Sequence, residues 1–224
     1  ADLSALDQVH KLAAEFQERY DRLDVLINNA GAVYFRRQIS VDGYEMTFAL
    51  NHLSYFLLTK LLLDRLKSTA DSTGEARIVN VSSEAHRGAK ILFDDLMFER
   101  RSYGPGGFRA YGQSKLANLL FTFELARRLD GSPVLSNALH PGLVASNIGK
   151  NNGKLGQLYA SVSKRLGISA GEGAQTVIYL ASWPEVKGVT QKYYRQCQSI
   201  EADSRAYDLE SARKLWEISE ALVA

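Results

Sequence analysis

Cysteine is almost absent from this chain: Cys197 stands alone among 224 residues. No internal disulfide can form, and such usage fits a reducing compartment such as the cytoplasm. A metal site is not expected, because neither His86 nor His140 has a partner at ligand spacing. Charge of one sign is not in excess either. The net charge is +2 and the Lys and Arg residues are scattered, which argues against a nucleic-acid partner. No membrane segment is expected. The longest greasy stretch, Leu53 to Leu66, is broken by Lys60, Asp64 and Arg65 and is too short and too charged to span a bilayer. The opening Ala1-Asp2-Leu3 carries no signal-peptide pattern and reads as a start inside a domain. Repeats, low-complexity tracts and a Gly-x-Ser-x-Gly nucleophile elbow are all missing, the last weakening any serine-hydrolase reading.

What is present belongs to a globular protein. Hydrophobic residues make up 46% and charged residues 23%, in a length suited to one domain, residues 1–224. Residues 4–20 show helical periodicity, with Ser4 as the expected N-cap and Asp7 in the first turn. Asp24 to Asn28 reads as a short buried strand, 44–67 as a long, mostly buried helix, and 70–74 as a turn. A second buried strand over 77–81 ends in Ser82-Ser83, and 84–108 is irregular. A helix over 110–129 and a third strand over 134–139 follow, the strand ending at His140-Pro141-Gly142. Residues 143–170 hold short helices, 172–183 a helix stopped by Pro184, Tyr193-Tyr194 a last strand, and 204–222 a closing helix. Strands alternating with helices of ten or more residues imply an α/β, doubly wound parallel sheet with helices on both faces.

Three polar signatures stand at the expected carboxyl edge of that sheet, where ligands bind in open parallel sheets. Tyr111 and Lys115 lie four apart on a helix and project from one face. A phenol with a pKa near 10 is a poor acid–base catalyst, and a nearby ammonium favours its phenolate. An isolated Y-x-x-x-K is more often an ordinary exposed pair, but Tyr111 is the only one of 11 tyrosines with Lys four residues on, and its helix opens just beyond Gly104-Pro105-Gly106-Gly107. Ser83 closes a strand, and its hydroxyl could bond a substrate oxygen or simply make a turn. Alternation puts Ser82 on the other side. Ala30 and Gly31, after Asn28-Asn29, would let a ligand approach the backbone closely. Asn51, inside an apolar helix, needs a partner and reads by itself as a satisfied core amide.

Together these residues resemble the short-chain dehydrogenase/reductase family, and most closely its retinol dehydrogenase-like branch. Arg77 to His86 (RIVNVSSEAH), Tyr111 to Asn118 (YGQSKLAN) and His140-Pro141-Gly142 carry the likeness, which runs through the whole chain. It implies a Rossmann-type fold and a catalytic tetrad of Asn51, Ser83, Tyr111 and Lys115. Tyr111 would exchange a proton with the substrate oxygen, Ser83 would orient that oxygen, Lys115 would lower the Tyr111 pKa and bond the nicotinamide ribose, and Asn51 would hold a water leading to solvent. Asp2 and Leu3 would flank the adenine. Asn29, Ala30 and Gly31 would line the adenosine ribose, and Pro141, Gly142 and Val144 the nicotinamide. The implied cofactor is NADP, with NAD open. The implied substrate is an alcohol, aldehyde or ketone, and the implied assembly a homodimer through the helices at 44–67 and 110–129.

The chain departs from that family at its start. Members open with a strand, the glycine-rich loop and two further strands, and these residues contain none of them. Without the first family strand, the strand at 24–28 becomes an exposed, aggregation-prone edge. Gln191 stands where relatives usually carry Gly. Two readings follow: an NAD(P)(H)-dependent oxidoreductase whose N-terminal segment is not among these residues, or a non-catalytic relative unable to bind cofactor. Residues 84–108 and 143–170, with Ile91, Leu92, Phe93, Leu96, Met97, Leu155, Leu158 and Tyr159, are expected to wall an apolar substrate pocket.

Overall fold

The computed structural model describes residues 1–224 and every side chain except that of Tyr159. One sheet runs in the order β1 (Val25–Asn28), β2 (Ala76–Val81), β3 (Val134–Leu139), β4 (Tyr193–Arg195), β5 (Gln198–Ile200). The first four strands are parallel, and β5 returns antiparallel to β4. β2 and β3 are interior strands buried along their whole length, with Arg77, Asn80, Ser136 and Asn137 buried among their apolar residues.

Pleating sends alternate residues to opposite faces. Ile78 and Ala138 join the main core on one face, beneath α3 (Ser54–Thr73) and α4 (Phe108–Arg128). α1 (Leu6–Arg19) packs outside α3, and α7 (Leu209–Leu222) outside α4. Val79, Val81 and Leu139 form a second cluster on the other face with Leu180 of α6 (Ala170–Ser182), Val186 and Tyr194. The doubly wound arrangement is as expected. The β4–β5 hairpin was not: its turn holds Gln196 and Cys197 at φ of 49° and 60°, left-handed angles that neither residue type signals. Gln191 also sits at φ 60°, a conformation that the glycine expected there would adopt without strain.

Several boundaries differ from the sequence reading for local reasons. Ser4 does not cap α1. Its N–H and hydroxyl both donate to Asp2 Oδ1, Ala5 takes the cap position, and the Leu6 N–H is met instead by Asp42 Oδ2 at 2.9 Å. Residues 70–73, expected as a turn, extend α3 by one more turn because Ala70 is core, and Gly74 at φ 96° ends the helix. α3 continues from α2 (Met46–Phe48) through a π-helical turn, Ala49–Leu53. By length and composition the run Met46–Thr73 could cross a bilayer, but 67% of its most apolar window is buried within the protein. Along α4, Ala110 to Ala126 are all buried within the chain, partly beneath α7, so the face expected to meet a second subunit is largely covered.

β1 has a partner on one side only, and Ile27 on it is 43% exposed, as expected of an unprotected edge. Ile27→Lys is expected to slow self-association without a measurable loss of melting temperature, read by static light scattering at matched concentration. An unchanged aggregation rate would clear this edge of the liability. The end of β1 is held by polar groups: Asn28 Nδ2 donates to Thr59 Oγ1 on α3 and to Asn80 Oδ1 on β2, and Asn80 Nδ2 donates to Thr122 Oγ1 on α4. A side-chain ladder of this kind fixes how the strand ends sit against the two helices.

Candidate active site

The loop after β1, the π-helical turn, the end of β2 and the start of α4 meet at the carboxyl edge of the sheet. Asn51, in the π turn, is the hub. Its Oδ1 accepts from Ala32 N–H at 2.9 Å, and its Nδ2 donates to Ala32 O and to Ser114 Oγ, each at 3.0 Å. It is thus the satisfied amide that its burial demanded, and it ties the loop to α4. The π-helical turn carries no local sequence signal, although such single turns are common at functional sites.

Lys115 projects from α4 toward the same place. It is 3% exposed, and its Nζ donates to Val81 O at 3.0 Å, at the end of β2. A Cβ added to Gly31 would stand 3.2 Å from Asn51 Oδ1 and 3.5 Å from Lys115 Nζ, so only glycine leaves the approach between loop and lysine open. Nζ lies 5.7 Å from the Tyr111 ring centroid and 5.7 Å from that of Tyr55. Burial, with no carboxylate to offset it, pushes the Lys115 ammonium down to about 7. Tyr111 is 7% exposed, its ring edge-on to Phe108.

Ser82 and Ser83 diverge as alternation requires. Ser82 Oγ donates to Lys115 O and is buried, whereas Ser83 is half-buried and its Oγ accepts from Ala85 N–H at 3.2 Å. The Ser83 turn sits tightly on α4: a Cβ on Gly112, the residue after Tyr111, would be 2.6 Å from Ala85 O. Ser83, Tyr111, Lys115, Asn51 and Gly31 are therefore brought together from four segments.

Two histidines given bland readings in the sequence prove to shape this edge. His86 Nδ1 donates to Ser83 O at 2.6 Å while its Nε2 accepts from Asp203 N–H, so it pins the Ser83 turn to the segment after β5. His140 Nδ1 accepts from Gly142 N–H, which places its proton on Nε2, 3.0 Å from Glu84 Oε1. Burial pushes both imidazoles below their ordinary value and keeps them neutral at pH 7. A histidine just beyond each of two strands was the available signal, and spacing alone could not assign it a partner.

The other expected ligand residues lie in varied settings. Asn29 is exposed and Ala30 half-buried. Asp2 accepts from Ser4, and Leu3 packs against the main core. Pro141 is half-buried, Gly142 is exposed at φ 85°, and Val144 pairs with Ile168 beside Gly173. The pocket walls need correction. Leu96 is core, Ile91, Phe93 and Met97 pack against that core, and Leu92 is held through its N–H by Gln113 Oε1. Leu155 and Leu158, on α5 (Gly153–Leu166), are 65% and 63% exposed, and the Tyr159 side chain lies outside the described residues. Segment 143–152 is bound to the loop after β1, with Val33 N–H donating to Ile148 O and Asn152 Nδ2 to Val33 O.

Glycine spacing like that of a phosphate loop occurs once, at Gly167, Gly171 and Gly173, but it follows helix α5 rather than a strand. Ser169 and Glu172 form a capping box there, so the Ser169 and Glu172 amides are already met and a carboxylate stands where a phosphate would sit. Among the described residues no group of three His, Cys, Asp or Glu could hold a metal ion.

A family model described as "short chain dehydrogenase" matches residues 1–93. Human "Retinol dehydrogenase 14" is 47% identical over 99% of this chain, which spans 65% of that protein's length. "Short-chain dehydrogenase TIC 32 B, chloroplastic" of Brassica napus is 41% identical over 99% of this chain and 70% of its own. An uncharacterised protein from Mycobacterium paratuberculosis, solved by crystallography, superposes with a TM-score of 0.74 at 35% identity, over 99% of this chain and 73% of its own. The chain belongs to the short-chain dehydrogenase family, in the branch of the retinol dehydrogenases.

Proposed function

We propose that the chain is the catalytic part of an NAD(P)(H)-dependent oxidoreductase acting on an alcohol/carbonyl pair. The observation that carries this reading is the meeting of Tyr111, Lys115, Ser83 and Asn51 around the open approach at Gly31. When bound, the nicotinamide supplies or accepts the hydride, and the protein's part is positioning and electrostatics. Lys115, whose only hydrogen bond among the described residues goes to Val81 O, keeps N–H donors for a ribose hydroxyl. Gly31, with Asn29 and Ala30, would border the adenosine ribose, Asp2 and Leu3 the adenine, and Pro141, Gly142 and Val144 the nicotinamide.

In reduction, Tyr111 gives its hydroxyl proton to the carbonyl oxygen, and in oxidation it takes one from the alcohol. The Lys115 ammonium favours the phenolate and so brings the Tyr111 proton into working range. Ser83 holds the substrate oxygen, its turn braced by His86. Asn51 keeps the loop after β1 against α4. Exposed Leu143, Leu155 and Leu158 support an apolar, medium-sized substrate. NADP is the favoured dinucleotide, and the compartment is a reducing one such as the cytoplasm.

Calorimetric titration of NADPH, then NADH, into this chain tests the proposal. Micromolar binding, stronger for NADPH, is expected. A folded, monodisperse sample that binds neither would make these 224 residues a scaffold or a catalytic half without a nucleotide site.

A further inference from the structure

Tyr55 has no role in the site described so far. It lies one turn beyond Asn51 on the same helical face, and is 2% exposed. Among the described residues two buried side-chain polar atoms lack a hydrogen-bond partner, Tyr55 Oη and His140 Nε2. The imidazole nitrogen has Glu84 3.0 Å away, which leaves the Tyr55 hydroxyl as the one with neither bond nor ion pair. The surrounding core is built of phenylalanines such as Phe48, Phe56, Phe121 and Phe123. A phenylalanine at position 55 would keep the ring and avoid an unpaired buried hydroxyl.

The ring's location suggests what the residue does. Its centroid is 5.7 Å from Lys115 Nζ, within cation–π reach and as close as the Tyr111 ring. Few other groups face that ammonium. β2 contributes Val81 O, the loop after β1 contributes Gly31, the π turn contributes Asn51, and α4 itself contributes Tyr111. Only the two tyrosines titrate, and no carboxylate offsets the burial of the charge. Burial, and then the neighbouring Tyr111, hold the Tyr55 phenol well above its ordinary value, so it remains a neutral O–H dipole.

We infer that Tyr55 is a positioning residue for the Tyr111–Lys115 pair, its ring face holding the Lys115 ammonium charged and in place. The inference rests on the dehydrogenase reading for its consequence but not for its physics. Without the aromatic face, Lys115 loses its proton at lower pH, and the alkaline limb of activity moves down with it.

The test is the titration of Lys115 followed by NMR of 13C-ε-lysine in the whole chain without cofactor, with Lys115→Met assigning the signal. Tyr55→Met removes the ring and refills much of its volume with a flexible side chain, and Tyr55→Leu is the second ring-free variant should that one not fold. Either is expected to lower the Lys115 midpoint by about half to one pH unit. Tyr55→Phe keeps the ring, and is expected to shift the midpoint by less than half as much and to melt no lower than wild type. Ring-free variants that leave the midpoint in place, or a Phe variant that moves it as far as they do, would overturn the assignment. A shifted midpoint in a protein that turns over no carbonyl substrate would leave it standing and remove only the dehydrogenase reading.

Discussion

Tyr111→Phe is expected to lower kcat by about 10²–10⁴-fold, the usual worth of a positioned general acid–base group. The substitution deletes one oxygen. It leaves the ring against Phe108 and within reach of Lys115 Nζ, and the Lys115 bond to Val81 O does not involve it. Nicotinamide affinity should therefore stay within a few-fold of wild type, because Lys115, Asn51 and Gly31 keep their places. Steady-state kinetics paired with a binding titration separates the two effects. Turnover that survives in the variant would remove Tyr111 as the proton donor, and lost binding with unchanged kcat would recast it as a cofactor contact.

Lys115→Met is expected to do two opposite things: abolish turnover and stabilise the fold. The wild-type ammonium is 3% exposed and has a carbonyl but no carboxylate beside it. Its pKa falls from 10.5 to about 7 because the fold disfavours the charge. Each unit is worth about 1.4 kcal/mol. After allowing about 1 kcal/mol for the lost bond to Val81 O, a net gain of about 3–4 kcal/mol at pH 7 is expected in the Met variant. That corresponds to roughly 10 °C in melting temperature for a chain of this length.

The sign fixes a pH window. Between about 7 and 10.5 the unfolded chain holds the lysine proton and the folded chain does not, so wild-type stability rises with pH through that range and is flat below it. The advantage of the Met variant is accordingly greatest at pH 7 and below, and fades toward pH 10. Melting curves at pH 6 and pH 10 check this. A variant no more stable than wild type at pH 6 would mean that the buried ammonium is better compensated than its surroundings indicate. A destabilised group kept in a core is the expected mark of a site selected for chemistry rather than for folding.

Much of the framework was legible because it rests on periods that the chain itself carries. β2 read as a buried strand because a short run built on Ile78, Val79 and Val81 can serve little else, and β3 as a strand between a helix and the breakers Pro141-Gly142. α4 and the Tyr111–Lys115 pair followed from a 3.6-residue repeat. What escaped has in common that its cause lies elsewhere in the chain. Ser4 lost its capping role because Asp2 takes its N–H and hydroxyl, and a distant Asp42 met the Leu6 amide instead. The β4–β5 hairpin turns on Gln196 and Cys197, which bear no turn signature. Ile91, Phe93, Leu96 and Met97 looked like pocket walls because apolar residues in an irregular loop have no period to reveal which way they face, and packing drew them into the core.

By itself the sequence determined the alternation of strands and helices, the placing of small and polar residues at the strand ends, and the pairing of Tyr111 with Lys115, since each is a local pattern written in neighbouring residues. Only the tertiary structure decided that Asn51 would bind Ala32 and Ser114, that Lys115 would lie against Val81 O between reach of two tyrosines, and that His86 would brace Ser83. Most of those contacts join residues tens of positions apart, and their worth comes from exclusion of water. No residue has that property until the chain has closed around it.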